Sequence, residues 1–389
     1  MIAQLSTMSG SYQPQDCLFL FTPLAPHYTS VEEKEALIQS GQRHYSEMIS
    51  YEHPPSQIYR ELFNELTDRY KYRLASEVLE IAQQALANRS APLTIVSLAR
   101  AGTPFGALLN RAFRDVFQVD SEHYSISIIR DRGIDKVALE YILRERGRDP
   151  QGLFFVDTWT AKGVITGELK EAIAQWNATE PEQLKDELFV ISDIGGTADY
   201  AATYDDYAIP SGVMNATVSG LMSRSILNDS ISDHQFHGSV YYEHLMAYDQ
   251  SQWFLDEVSA HFKEIAMEMR ETQQDRHRAQ KSIGQACRLS LREERRVLSK
   301  RWIDHWIEAY QISDINYIKP GVAEATRVML RRVPACLLIS EPDHPDIAHL
   351  KLLALDKKVP IIIEPEMPFK AAAFIKALTL AGRDHTHES

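Results

Sequence analysis

Two short segments of this chain carry residue types that bind phosphate, each where an apolar strand gives way to a helix. They read APLTIVSLARAGTPFGALLNRAF and QGLFFVDTWTAKGVITGELKEA, between residues 91 and 172. A glycine in such a turn lets backbone N–H groups converge on one spot, at which the positive end of the helix dipole also points. In the first turn Arg100 offers a planar donor fork, and Ala101 and Gly102 let the backbone approach an anion closely. In the second, Asp157 stands at the strand's carboxyl end, where a carboxylate accepts hydrogen bonds from ribose hydroxyls. Thr158, Thr160, Ala161, Lys162 and Gly163 follow as a loop able to wrap a phosphate. Each turn alone reads equally well as an ordinary crossover, with Pro104 starting one helix and Thr158 or Thr160 capping the other. Two in order, one crossover apart, favour a ligand with two phosphate groups a ribose apart.

The elements that must position these turns are legible as a change of hydrophobic period. Residues 1–90 are turn-rich and then helical, with apolar residues at helical spacing through SQIYRELFNELTDRYKYRLASEVLEIAQQALANRS. From 91 to 262 short apolar strands (TIVSLA, HYSISIIR, LFFVDT, LFVIS) alternate with helices, the pattern of an α/β domain with a mostly parallel sheet. In the second turn the strand is expected to end at Asp157, leaving a six-residue loop before a helix near Val164. Between the turns, RDRGID reads as a basic loop opening a helix with Asp135 near its start, and Arg130 and Arg132 are candidates to neutralise a leaving pyrophosphate. A third turn contains Gly195 and Gly196, read as an acceptor-side loop; the nearby Asp193, Asp199, Asp205 and Asp206 match no calcium-loop spacing. Residues 263–310 form a helical connector with a basic stretch at 276–301. Residues 311–389 alternate again, through the strands INYIKPG, ACLLIS and VPIIIEP and the helices VAEATRVMLRR, IAHLKLLALDKK and FKAAAFIKALTL.

Composition narrows the classes. At 389 residues the chain exceeds one ordinary core and implies two domains. A net charge of −13 argues against a duplex-DNA binder while leaving room for a local basic patch. No apolar run approaches membrane-spanning length, and the first residues lack the basic and apolar regions of a signal peptide. Cys17, Cys287 and Cys336 are far apart, without metal-ligand spacing. Together these point to a cytoplasmic protein without disulfides.

The runs SLARAGTP, HYSISIIRDRGID, FVDTWTAKG, SGLMSRSIL and HGSVYYEHLMAYDQS resemble the phosphoribosyltransferase-like family of bacterial tellurite-resistance and stress gene clusters, whose members are often labelled cysteine protease StiP. The resemblance spans roughly residues 9–255. It departs from type I phosphoribosyltransferases at Thr158, where a second acid is usual, and at Ala161 and Lys162, where Thr or Ser is usual. It implies a type I phosphoribosyltransferase-like parallel sheet and displacement of pyrophosphate from Mg²⁺-bound phosphoribosyl pyrophosphate, the magnesium being carried by that substrate. Asp157, Arg100 and Arg130 would then be catalytic, and the two turns would bind the substrate. The C-terminal unit resembles a Pelota-type RNA-binding domain, which suggests Lys319, Gly321, Glu324 and Arg327 as RNA contacts. The acceptor is not implied, and a homodimer is left open. Two other readings stand beside this one. One is a non-catalytic phosphoribosyl-nucleotide sensor acting through RNA; the weaker is a cysteine protease, for which no cysteine lies in a recognisable nucleophile turn.

Overall fold

The computed structural model describes residues 7–276, 283–331 and 334–375, with side chains described outside 272–288 and 331. The chain divides into two compact units, Met1–Asp205 with Ile209–Arg296, and Asp206–Ala208 with Val297–Ser389.

The first unit runs β1 (Leu18–Phe19), β2 (Thr22–Pro23), α1 (Val31–Gln39), α2 (Gln57–Asn88), β3 (Leu93–Ala99), α3 (Thr103–Ala112), β4 (Ser121–Ile129), β5 (Gly133–Ile134), α4 (Lys136–Glu140), β6 (Leu153–Thr160), α5 (Val164–Thr179), β7 (Leu188–Asp193) and β8 (Tyr200–Thr203). It continues through β9 (Gly238–Ser239), α6 (Ser251–Ser259), α7 (Phe262–Arg276) and the front of α8 (Ile283–Ala309). The central sheet has the order β1-β4-β3-β6-β7-β8, all parallel, with β5 antiparallel on β4. β3 and β7 are apolar along most of their length and buried on both faces, as parallel strands covered by helices must be. Leu18 and Phe19 join this sheet beside β4, although the sequence pattern places strands only from residue 91. The run CLFLF is apolar enough to serve as an edge strand, but too short to stand out from turn-rich surroundings.

α2 starts at Ser56, whose side chain accepts from the Tyr59 N–H, and buries Phe63, Leu66, Tyr70, Leu74, Val78 and Ile81. That spacing of three and four residues lays one stripe of the helix on the core. A turn at residues 260–261 separates α6 from α7, just ahead of the helical connector expected over 263–310.

The second unit adds β10 (Ile318–Pro320), α9 (Val322–Arg331), β11 (Cys336–Ile339), α10 (Ala348–Asp356), β12 (Ile361–Ile363) and β13 (Ala371–Phe374), in a sheet ordered β10-β13-β11-β12. The expected helix FKAAAF is a strand. Ala371–Phe374 pairs antiparallel with both β10 and β11, at the centre of the sheet. Three consecutive alanines favour helix locally. Here their small side chains let a central strand be covered on both faces, and tertiary packing prevails.

α3 is buried along its whole length and crosses the sheet face where His123 of β4 lies. The His123 ring is held by the Asp16 carbonyl (2.8 Å from Nδ1) and the Ser97 hydroxyl (2.7 Å from Nε2). Gly106 of α3 makes the room, since a Cβ there would lie 2.3 Å from Nε2. Burial pushes the His123 pKa down to about 4. The folded state therefore refuses a proton that the unfolded chain accepts near pH 6.5, so this group's contribution is intact above pH 6.5 and declines as pH falls toward 4. Asp193, pushed up to about 6 by burial, acts with the opposite sign, so the two partly cancel in the wild type. The expected outcome is that His123→Gln, compared with wild type by urea unfolding at pH 7 and pH 5, removes about 2 kcal/mol of acid sensitivity. Identical acid sensitivity in the two proteins would contradict a neutral buried His123.

Candidate functional site

Because β3, β4, β6 and β7 are parallel, their carboxyl ends share one edge, where α/β sheets bind ligands. The first two turns meet there. The Thr158 hydroxyl donates to the Ala101 carbonyl at 2.6 Å, and a Cβ on Gly102 would stand 2.7 Å from the Val156 carbonyl oxygen. Arg100, Ala101, Gly102, Asp157 and Thr158 are thus brought together as the sequence suggests. The Asp157 carboxylate accepts the Thr158 N–H at 2.7 Å. Gly163, at φ +75°, starts α5 without a side-chain cap, and Lys162 beside it is half-buried.

The loop itself differs from expectation. β6 continues to Thr160, with Trp159 paired to Ser192 and Thr160 to Asp193, so the turn is only Ala161–Gly163. The β-branched Thr158 and Thr160 and the aromatic Trp159 favour strand, and β7 offers the partner. Thr160, expected to wrap a phosphate, is instead buried, its hydroxyl 3.0 Å from that of Thr197. Ala161 is equally structural: its carbonyl oxygen lies 1.6 Å from where a Gly195 Cβ would be.

The third turn is shaped by Asp193, whose buried carboxylate accepts from the N–H groups of Gly195, Thr197 and Ala198 at 3.3, 2.9 and 2.8 Å. It is not an open acceptor loop. α8 lies across it, so that a Cβ on Gly196 would fall 2.2 Å from the Arg292 carbonyl oxygen. The nearby acids do not gather either. Asp199 pairs with Lys170 and Arg292, and Asp205 with Arg73. Among the described residues no group of three or more His, Cys, Asp or Glu side chains is placed to hold a metal ion.

Side chains that sequence reasoning missed complete the edge. Glu52 accepts from Arg100 at 2.9 Å, and Arg100 also donates to the Met222 carbonyl at 3.1 Å. The Tyr45 ring lies 5.3 Å from the guanidinium groups of both Arg130 and Arg224, and Arg130 is further bonded to Asp131 at 3.1 Å. Only the run SGLMSRSIL, which contains Arg224, carried any signal. Tyr45 and Glu52 lie in a segment without periodicity and meet their partners across 48 or more residues of chain.

The cysteines occupy different places. Cys17 is buried beside β4, and burial first, then the Asp16 charge, push its thiol well above the usual range. Asp16 is bonded to Arg111 at 2.8 Å and Arg114 at 3.3 Å. Cys336 lies inside β11, where burial raises its thiol to about 11. The Cys287 side chain lies outside the described residues, as does the front part of the basic 276–301 stretch.

In the second unit, Lys319 lies on β10 opposite Ala373, and Gly321 turns at φ +94° into α9. Glu324 and Arg327 pair with each other at 3.0 Å on one helix face. The N–H of Val322, at the helix start, donates to the buried Asp206 carboxylate at 2.7 Å.

Comparison with known proteins adds the family context. Residues 10–259 match the family model described as tellurite-like stress resistance cysteine protease StiP, and residues 297–377 match the PELOTA RNA binding domain. The chain is similar to a protein of Acinetobacter baylyi named cysteine protease StiP, with 37% identity over 95% of this chain and 94% of the relative. A solved structure described as an analysis of an invariant aspartic acid in HPRTs, asparagine mutant, is 17% identical over 34% of this chain and 75% of its own, with a TM-score of 0.25, too low to bear on the fold. These names correct the expected activity. The matching family and relative are named for a cysteine protease, which overturns phosphoribosyl transfer with its phosphoribosyl pyrophosphate and magnesium, and they do not support a nucleotide sensor either.

The close approach of the turns gives a measurable asymmetry among glycines. Gly195→Ala must displace the Ala161 backbone and is expected to cost about 3 kcal/mol or more in chemical unfolding. Gly167→Ala, on the exposed face of α5 with nothing within 4 Å of the added Cβ, is expected to stabilise by about 0.5–1 kcal/mol.

Proposed function

The chain belongs to the StiP family of tellurite-like stress resistance cysteine proteases, and from that membership we propose that it is a stress-response cysteine protease with Cys17 as its nucleophile. What supports Cys17 is position: it is the one cysteine inside residues 10–259, while Cys287 and Cys336 lie beyond them. The nucleophile of such an enzyme is the thiolate, and a buried thiol with a raised pKa is protonated at neutral pH. The arrangement described above is therefore a closed form. Its closure is specific. Met8 and Phe19 bridge, Ser11 donates to the Gly220 carbonyl at 3.1 Å, and the Tyr12 hydroxyl donates to the Val218 carbonyl at 2.6 Å. Release of this segment would free Cys17 together with the contact between the Asp16 carbonyl and His123. His123, once hydrated, becomes an ordinary imidazole able to take the thiol proton.

We read the C-terminal unit as the RNA-binding part, with Lys319 and Arg327 meeting phosphates and Glu324 a base edge at the Gly321 turn. The match to the Pelota model supports this. A phosphoribosyltransferase-type reading of the sheet is kept for the fold alone, supported by the glycine turns after β3 and β6.

Two measurements test these assignments. Cleavage of an unfolded protein substrate is expected to be lost in Cys17→Ser and kept in Cys336→Ser; cleavage surviving in Cys17→Ser would move the nucleophile elsewhere. For RNA, Lys319→Ala should weaken binding similarly across structured RNAs and lower the salt dependence by about one phosphate contact. An unchanged salt slope would remove Lys319 from the interface.

A further inference from the structure

None of the nine residues of α1 is buried, although Leu37 and Ile38 give the helix an apolar side. It is fastened at its ends instead. The Ser30 side chain accepts the Glu33 N–H at 3.1 Å, and the Leu37 carbonyl accepts the N–H groups of Gln42 and Arg43 at 3.1 and 3.3 Å. A helix with tied ends and no side chain in a core behaves as a flap, one of the least stable parts of a fold.

Glu33 and Leu37 of this flap line a cleft of about 750 Å³, a volume typical of small-molecule sites. The rest of its apolar lining is Leu24, Met48, Ile49, Ile226 and Val240. Ile49, Ile226 and Val240 belong to one buried cluster with Leu24 packed against it, so this floor is preformed. A second cavity, of about 410 Å³, adjoins the cleft, and the two share Gln42, Arg43, Glu47 and Asn228. Leu227 apart, the residues lining the smaller cavity are polar or charged.

An apolar chamber that opens through a polar junction matches an amphiphile, and the charge at the junction selects its head group. Glu47 is neutralised there by Arg132 at 2.5 Å. The Arg43 guanidinium has no hydrogen bond or ion pair among the described residues. Glu33 and Asp229 each line one chamber only. The uncompensated charge where the chambers meet is therefore a cation.

We propose that this cleft binds an amphipathic monocarboxylate with the size and chemistry of a medium-chain fatty acid. The acyl chain lies between Leu37 and the floor of Leu24, Ile49, Ile226 and Val240, and the carboxylate meets Arg43. The chain gives α1 the apolar contact it lacks and so orders the flap. The site uses neither Cys17 nor the turns after β3 and β6.

The test is calorimetric titration of the full-length protein with decanoate, decanol and decylamine, at equal ionic strength and below the concentrations at which they aggregate. Decanoate is expected to saturate one site per chain and to bind about tenfold more tightly than decanol, with decylamine weakest. Arg43→Gln should abolish the preference for decanoate over decanol while leaving decanol binding intact. Leu37→Gln should weaken both, and because Leu37 is not buried this variant is expected to fold. Amide hydrogen exchange over residues 31–43 should slow when decanoate is added. No saturable decanoate binding, several molecules bound per chain, decylamine binding as tightly, or unchanged affinities in either variant overturns the proposal. None of these readouts involves proteolysis, so failure here and failure of the Cys17 assignment are separable.

Discussion

Backbone against backbone, without room for a β-carbon, is the constraint on which the carboxyl edge of the large sheet rests. Gly102 admits the Val156 carbonyl, Gly195 admits the Ala161 carbonyl, and Gly196 admits the α8 backbone at Arg292. Each approach ties one strand–helix turn to the next, so the turns after β3, β6 and β7 form one continuous structure rather than three loops. Thr158 and Thr160 reinforce it by spending their hydroxyls on the Ala101 carbonyl and on Thr197. Residues that look like ligand donors in isolation are, in place, the mortar between turns.

Charge at this edge is distributed unlike charge on the surface. Arg111 is buried but bonded to the Asp16 and Asp256 carboxylates, and Arg89 is buried against Glu187. Those are compensated cations, and their geometry accounts for their burial. Arg224 differs in donating to carbonyl oxygens and facing an aromatic ring, with no carboxylate bonded to it among the described residues. The segment carrying Tyr45, Glu47 and Glu52 thereby becomes a piece of the sheet edge, although it has no regular secondary structure beyond one 3₁₀ turn.

The family name and the resting chemistry of Cys17 fit together only if the closed form opens. A thiol enclosed beside β4, with a carboxylate nearby, is inert as a nucleophile. The bonds that enclose it join residues 8–20 to β4, to the 218–220 turn and, through Gln15 and Asp16, to Asn110, Arg111 and Arg114.

Much of the architecture was legible in the residues themselves. Alternating apolar runs and helical stripes mark β3, β4, β6 and β7 and the helices between them, because period is a local property of the chain. The turns at Gly102 and Gly163 were found because glycine at a strand–helix junction has few other uses, and Asp135 was recognisable as a helix start. Tertiary structure decided the rest. β6 could run through Thr160 only because β7 was there to pair with it, and Ala371–Phe374 became a strand only between β10 and β11. Glu52 meets Arg100, and Tyr45 meets Arg224, across stretches of chain that no local pattern links. Sequence determines periods, turns and residue chemistry, which depend on neighbours a few positions away. Which donors stay available to a ligand depends on what packs against them, and that is settled only when distant segments meet.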